Sequence, residues 1–574
     1  MKKKRQLLSA LVLLACLTGR AESIFEYPSP PPAANKIDRL VFAKLSELNI
    51  TPALCSDAVF VRRVYLDVTG KIPTANEARS FIDSTYSKNK RSALIDELLE
   101  RPEFADYWSM KWGDALRIKA EFPVNLWPNA AQIYHHWVHT AIAQNKPYDQ
   151  LVREMLTASG SNFRVGPVNF YRALQNKTPE GIAAGVALTF MGVRSESWTQ
   201  EQLDHLAVFF SQVGYKPTNE WKEEHVFWDP LGSTKAAGNS APGSAIVTTA
   251  MIEKNTNPPP ENIGGPLNTI FPDGTPVQIS ADRDPRVVLA DWLITPENPW
   301  FTRCAINRIW AWLLGRGIIE EPDNIRDDNP PSNPELLTWL EKEFIRSGYD
   351  MNHLIRLILN SKTYQMSSVS NTGNPEAAAQ FAAYPLRRLE AEVLIDAIND
   401  ITGSSDLYTS AIPEPFTYIP KDQSAVSIAD GSISSSFLTL FGRSARATGM
   451  SDERINRTSP SQQLHMLNSG HIQRKIEQSA KLRKLTVSRG RPEQAVDNLY
   501  LTILSRHPTF EEIDIMLAYK GAASQEIVQL KPATAKAKKR TSSKKKKFAN
   551  KKQPQDWTDM AWALMNSPEF LYRH

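Results

Sequence analysis

The chain has 574 residues, 41% of them hydrophobic, with 14 Trp, 39 Pro and 3 Cys and a formal net charge of +5. That length holds three or four ordinary domains or two large ones, and the lack of any CxxC or CxxCH run disfavours structural zinc and covalent haem. Residues 1–15 carry four basic residues and 531–552 carry eleven, neither with an acid; taking both from +5 leaves the rest of the chain at −10, so nucleic acid is not an expected partner.

The opening MKKKRQLLSALVLLACLTGRAES joins a basic start to an apolar run too short to span a bilayer, the pattern of a bacterial export signal over residues 1–21. Leu13-Leu14-Ala15-Cys16 is similar to a lipobox, which predicts cleavage before Cys16 and a lipid on that residue; ordinary cleavage near Ala21 is the alternative. Either way the mature chain is expected outside the cytoplasm, in the periplasm or anchored to the envelope membrane. Close-set prolines then predict an extended tether over 22–36.

From Ile37 the apolar spacing becomes helical, and 37–228 is expected to form an N-terminal helical domain. Thr74 with Glu77 makes a capping box, and RSALIDELLERPEFADYWSMKWGDALRIK predicts two further helices rich in Leu and Trp. In HHWVH, His135 and His139 stand four apart on one helical face, which is metal-ligand spacing, but the glutamate that a zinc hydrolase uses as base is missing. Surface histidines in hydrogen bonds are the plainer reading, and no metal or other cofactor is assigned. GPVNFYR reads as an extended stretch in which Asn169, Tyr171 and Arg172 line a groove or simply pack.

Residues 229–282 shift to Gly, Ser, Pro, Asn and Thr. SAIVTTAMI and NTIFPDGTPVQIS predict short strands there, the latter folded at Asp273-Gly274. A C-terminal helical domain is expected over 283–530. Within it, Phe301, Ala305, Ile309 and Leu313 make a helix that Gly315 ends, Ser332 with Glu335 makes a capping box, and Asp350 caps the helix after that. The loop EEPDNIRDDNPPSNP between the first two of these helices is the leading candidate for a binding site, through Asp323, Arg326, Asp327, Asp328 and Asn329. Its oxygens suit a hard cation, but the spacing is not that of an EF-hand, and a solvated, capping loop is the alternative.

Residues 411–436 read as a long surface loop. In FGRSARATGMSDERINRTSPSQQL, the residues Arg443, Arg446, Arg454 and Arg457 form a candidate anion cluster, or else ion-pair with the acidic loop. The lysine-rich run 531–552 is compositionally disordered and interrupts the domain, whose terminal helix falls in 553–574. Outside the cytoplasm such a run suits lipid head groups, acidic polysaccharide or an acidic partner. Cys55 and Cys304 could form one long-range disulfide or stay as buried thiols.

The stretches IDRLVFAKL, VFVRRVYLDVTGKIPTANEARSFI, LIDELLERPEFADYWSMKWGDALR and KPYDQLVREMLTASG resemble the first of two linked families of unknown function, fifteen-forty-nine, common in secreted proteins of planctomycete-type bacteria. DPRVVLADWL, NPWFTRCAINRIWAWLLGRG, DDNPPSNPELL, YPLRRLEAEVLIDAI and MAWALMNSPEFLYRH resemble the second, fifteen-fifty-three. The resemblance implies an exported protein and supplies no activity. Many relatives carry a CxxCH insert where this chain has Ser195, Glu196 and Ser197, so it is a haem-less form.

The expected architecture is mainly α, with two helical lobes and a small β-containing insert. The expected function is binding of an envelope protein or anionic polysaccharide without catalysis. Two alternatives stand beside it: a polysaccharide-active enzyme using paired carboxylates, which predicts a cleft with a carboxylate of raised proton affinity, and a haem-less partner in an envelope redox complex.

Overall fold

The computed structural model describes residues 24–27, 32–84, 89–232, 265–369, 372–486, 491–519 and 552–574. Cys16, the strand expected in SAIVTTAMI and all but the last residue of the lysine-rich run lie outside them. The fold is mainly α with only small sheets, as composition and periodicity predict. Among the described residues no helix is long and apolar enough to cross a membrane.

The helix Pro102–Ala115 starts on a proline and buries Trp108 and Trp112. The helix Phe301–Leu314 buries the predicted stripe and ends at Gly315, whose φ of 73° is one that glycine adopts without strain. Trp312, half-buried, stands edge-on to Trp108 and Trp112 with ring centroids 5.8 and 5.1 Å apart. These rings join helices from the two halves of the chain, and buried apolar residues from Ile37 to Phe570 form one continuous core cluster.

Several local expectations hold. Thr74 and Glu77 form their capping box, and Asp350 accepts from the His353 amide. Ser332 does not cap; Asn333 takes that place because Pro334 fills the first helical position, and the Asn333 side chain accepts from the Leu336 amide. GPVNFYR is not extended: Gly166–Val168 is a 3-10 turn that runs into the helix Asn169–Ala173. Asn169, Tyr171 and Arg172 are buried there, and the Tyr171 hydroxyl donates to the Leu156 carbonyl, so packing accounts for them.

The strands Leu267–Ile270 and Pro276–Ile279 pair antiparallel around the predicted Asp273-Gly274 turn. Gly160–Ser161, Glu224–Trp228 and Val213–Pro217 form a three-stranded sheet. A third, two-stranded sheet pairs Arg387–Arg388 with Tyr572–Arg573 and so ties the end of the described chain to its middle.

Residues 411–436 are less exposed than their composition suggests, since Ala425, Val426, Ile428 and Asp430 are buried. Residues 24–27, expected in the tether, lie on the body: the Tyr27 amide donates to Leu54 and the Ser56 amide to the Phe25 carbonyl. Cys55 and Cys304 are both buried free thiols, and burial pushes the Cys304 thiol up to about 11.

Candidate functional site

The acidic loop and the arginine-rich segment, separated by more than a hundred residues in sequence, meet at one cleft of about 210 Å³. Four cations line it (Lys111, Arg308, Arg387 and Arg454) against three carboxylates, Asp114, Asp323 and Glu390. Lys111 and Asp114 come from the helix Pro102–Ala115, one turn apart on one face. Arg308 comes from Phe301–Leu314, Asp323 from the acidic loop and Arg454 from the segment before helix Pro460–Asn468.

Each carboxylate has its own cation. Asp114 accepts from Arg446 at 2.9 Å and from Arg454 at 2.7 Å. Arg454 also reaches Glu392 at 2.6 Å, and Arg443 meets that same carboxylate at 3.2 Å. Asp323 accepts from Arg308 at 3.0 Å and from the Ser451 amide at 2.6 Å. Glu390 bonds to Arg573, and Lys111 Nζ lies 3.2 Å from it.

Burial by itself would raise the proton affinity of these acids, and the arginines reverse it. Arg454 and Arg446 hold Asp114 below its ordinary pKa, and Arg573 and Lys111 hold Glu390 well below. Burial pulls the other way on Lys111, bringing its pKa down to about 8 despite Glu390. Its ammonium also faces the Tyr107 ring at 4.7 Å and the Trp312 ring at 5.9 Å. Among the described residues, the carboxyls whose proton affinity burial does raise are Asp396 and Asp430, which line no part of this cleft; both accept from loop backbone amides.

The sequence-predicted residues divide. Asp323 is 1% exposed and enters the cleft, while Asp327 and Asp328 are exposed and Arg326 pairs with Asp328 on the surface at 2.9 Å. The Asn329 side-chain amide donates to the Glu320 and Asn324 carbonyls and braces the loop. Arg443, Arg446 and Arg454 are brought together, with Asp114 and Glu392 as partners in place of the loop's exposed acids, and Arg457 stands exposed outside the group.

His135 is buried with Nε2 unpartnered, and burial first, then Arg446 and His139, bring its pKa down to about 3. His139 bonds Asp106 at 3.1 Å. Among the described residues no three His, Cys, Asp or Glu side chains gather as a metal site.

Sequence reasoning missed Lys111, Asp114, Glu390, Glu392 and Arg573. Its one usable signal was WSMKWGDAL, where a lysine stands between two tryptophans and an aspartate follows them on a helix with little polar face.

Residues 36–212 match the family model PSCyt2, described as a protein of unknown function (DUF1549), and residues 285–520 match PSD1, described as a protein of unknown function (DUF1553). The chain is thus a mainly helical protein of two family regions whose side chains meet at one charged cleft. It belongs to this pair of families, the first in its N-terminal half and the second in its C-terminal half. No curated protein and no solved structure matches it.

Proposed function

We propose that the chain is an exported, lipid-anchored protein that binds an acidic surface polysaccharide without chemistry, seating one sulfate or carboxylate substituent in the cleft. The observation that carries this reading is the lining itself: four cations face three carboxylates that are already committed to arginines. Lys111 spends one hydrogen bond on Glu390, so its ammonium retains donors for a bound anion. The volume, about 210 Å³, suits one charged substituent better than a length of polymer. Ionised, arginine-bound carboxylates are poor proton donors, which favours binding over acid–base hydrolysis. The leader and its Cys16 support export and anchoring.

The test is titration of the full chain with a sulfated oligosaccharide, polygalacturonate and uncharged dextran. The acidic ligands should bind and weaken with salt, and Lys111→Gln should reduce affinity roughly tenfold, the size of one charge-assisted contact. A second variant with the lysine-rich run 531–552 neutralised separates the contribution of that sequence from the contribution of the cleft. Equal binding of dextran, or affinity unmoved by Lys111→Gln and abolished by neutralising the run, would overturn the assignment.

A further inference from the structure

A second cavity, of about 570 Å³, opens beside the helix Pro460–Asn468 and the C-terminal segment, a volume within the usual range of small-molecule sites, roughly 300–1,000 Å³. Its wall is apolar, built from Phe441, Met466 and Leu571 among others. At its rim Leu386, Val369 and Leu467 are 61%, 52% and 45% exposed, so aliphatic side chains face water where a ligand would enter.

Arg388 is the cation on this wall. Arg388 is 3% exposed, and successive residues of a strand point to opposite faces, so while Arg387 turns to the charged cleft Arg388 turns to this one. Its guanidinium donates to the carbonyls of Leu389, Phe441 and Ile455 at 3.1, 2.7 and 2.8 Å, and its buried Nε has no partner. Among the described residues no carboxylate comes within the 4.0 Å of an ion pair with Arg388. The Asp or Glu side chain on the cavity wall, Glu569, is held by the Nε–Nη2 edge of Arg506 at 2.5 and 2.9 Å. Glu390 and Glu392 act on Arg388 only from a distance, and a buried cation with no carboxylate in contact costs stability that an anion arriving with the ligand would recover.

We propose that this cavity binds a long-chain fatty acid, its alkyl chain along the apolar wall and its carboxylate against the Arg388 guanidinium. The apolar volume selects the chain, and the unpaired positive charge selects the acid over a neutral alcohol or ester of equal length. The site is separate from the charged cleft and does not depend on the polysaccharide reading.

The experiment is calorimetric titration of the full chain with palmitate and with hexadecanol, repeated on Leu386→Trp and Arg388→Met. Palmitate should bind about tenfold more tightly than hexadecanol, the increment of one charge-assisted contact. Leu386→Trp, a change at an exposed rim position, should weaken both ligands by narrowing the mouth. Arg388→Met should bring palmitate down to the level of hexadecanol. Should Arg388→Met fail to fold, the palmitate to hexadecanol ratio on the unaltered chain still decides. Equal affinity for the two, no palmitate binding, or binding untouched by Leu386→Trp would overturn the proposal. Selective capture of an apolar peptide in place of palmitate would overturn it as well.

Discussion

Arg387 and Arg573 stand directly opposite each other across the small antiparallel sheet, and both guanidinium groups reach Asp67, at 3.6 and 2.6 Å. Like charges facing each other across a strand pair repel, so the pairing depends on the carboxylate between them. Asp67 also accepts from the Tyr364 and Tyr384 hydroxyls, at 2.8 and 2.9 Å, which leaves it fully coordinated though 1% exposed.

Asp67→Asn should therefore destabilise the protein by about 3–5 kcal/mol, the cost of breaking a buried ion pair by removing one partner. Adding Arg573→Met to that variant should cost less than its effect in the unaltered chain, because Arg573→Met alone strands both Asp67 and Glu390, and with Asp67→Asn only Glu390 is left stranded. Urea unfolding of the two single variants and the double variant checks this, and strict additivity would show that the arginine pair does not depend on Asp67.

Asp323 and its loop neighbours should behave oppositely. Asp323→Asn breaks the buried contact with Arg308 and should cost about 3–5 kcal/mol, whereas Asp327→Asn and Asp328→Asn, on the exposed surface, should stay within about 0.5 kcal/mol. Thermal melts of the three variants separate these values.

Lys111 sets a window at alkaline pH. Its pKa is about 8 in the folded chain against an ordinary 10.5, so between those values the unfolded state holds more protons and stability rises with pH. The difference in stability between the unaltered protein and Lys111→Met should shift in favour of the former from about pH 8 to 10.5. Over the same range, binding of an acidic ligand in the cleft should weaken as the ammonium loses its proton. Binding by Lys111→Gln should not change there.

His135 sets the corresponding window in acid. With its pKa brought to about 3 from 6.5, the unfolded chain takes up a proton that the folded chain refuses, so stability falls as pH drops through that interval. The His135 ring resonances should show the neutral form down to about pH 3, and zinc should leave the melting temperature unchanged.

Much of the framework was legible because it is local. The apolar stripe of Phe301–Leu314, the Gly315 stop and the Thr74–Glu77 box depend on residues within a turn or two of each other. The cleft was only half legible. Asp323 and the arginines from 443 to 454 stood out by composition, yet the partners of those arginines, Asp114 and Glu392, lie on helices from other parts of the chain. On a helix an isolated charge reads as a solvated face, and nothing in the 3.6-residue period tells that a distant arginine will cover it. Ser332 was misread for a smaller reason: Ser and Asn cap equally well, and the position of Pro334 decided between them.

Trp312 has a consequence for the inheritance of the two regions. Its indole, contributed by the segment matching one family, wedges between Trp108 and Trp112 of the segment matching the other. Either segment produced alone would lose this ring contact, so a chimera joining halves from different relatives should keep the joint only where the matching rings are present on both sides.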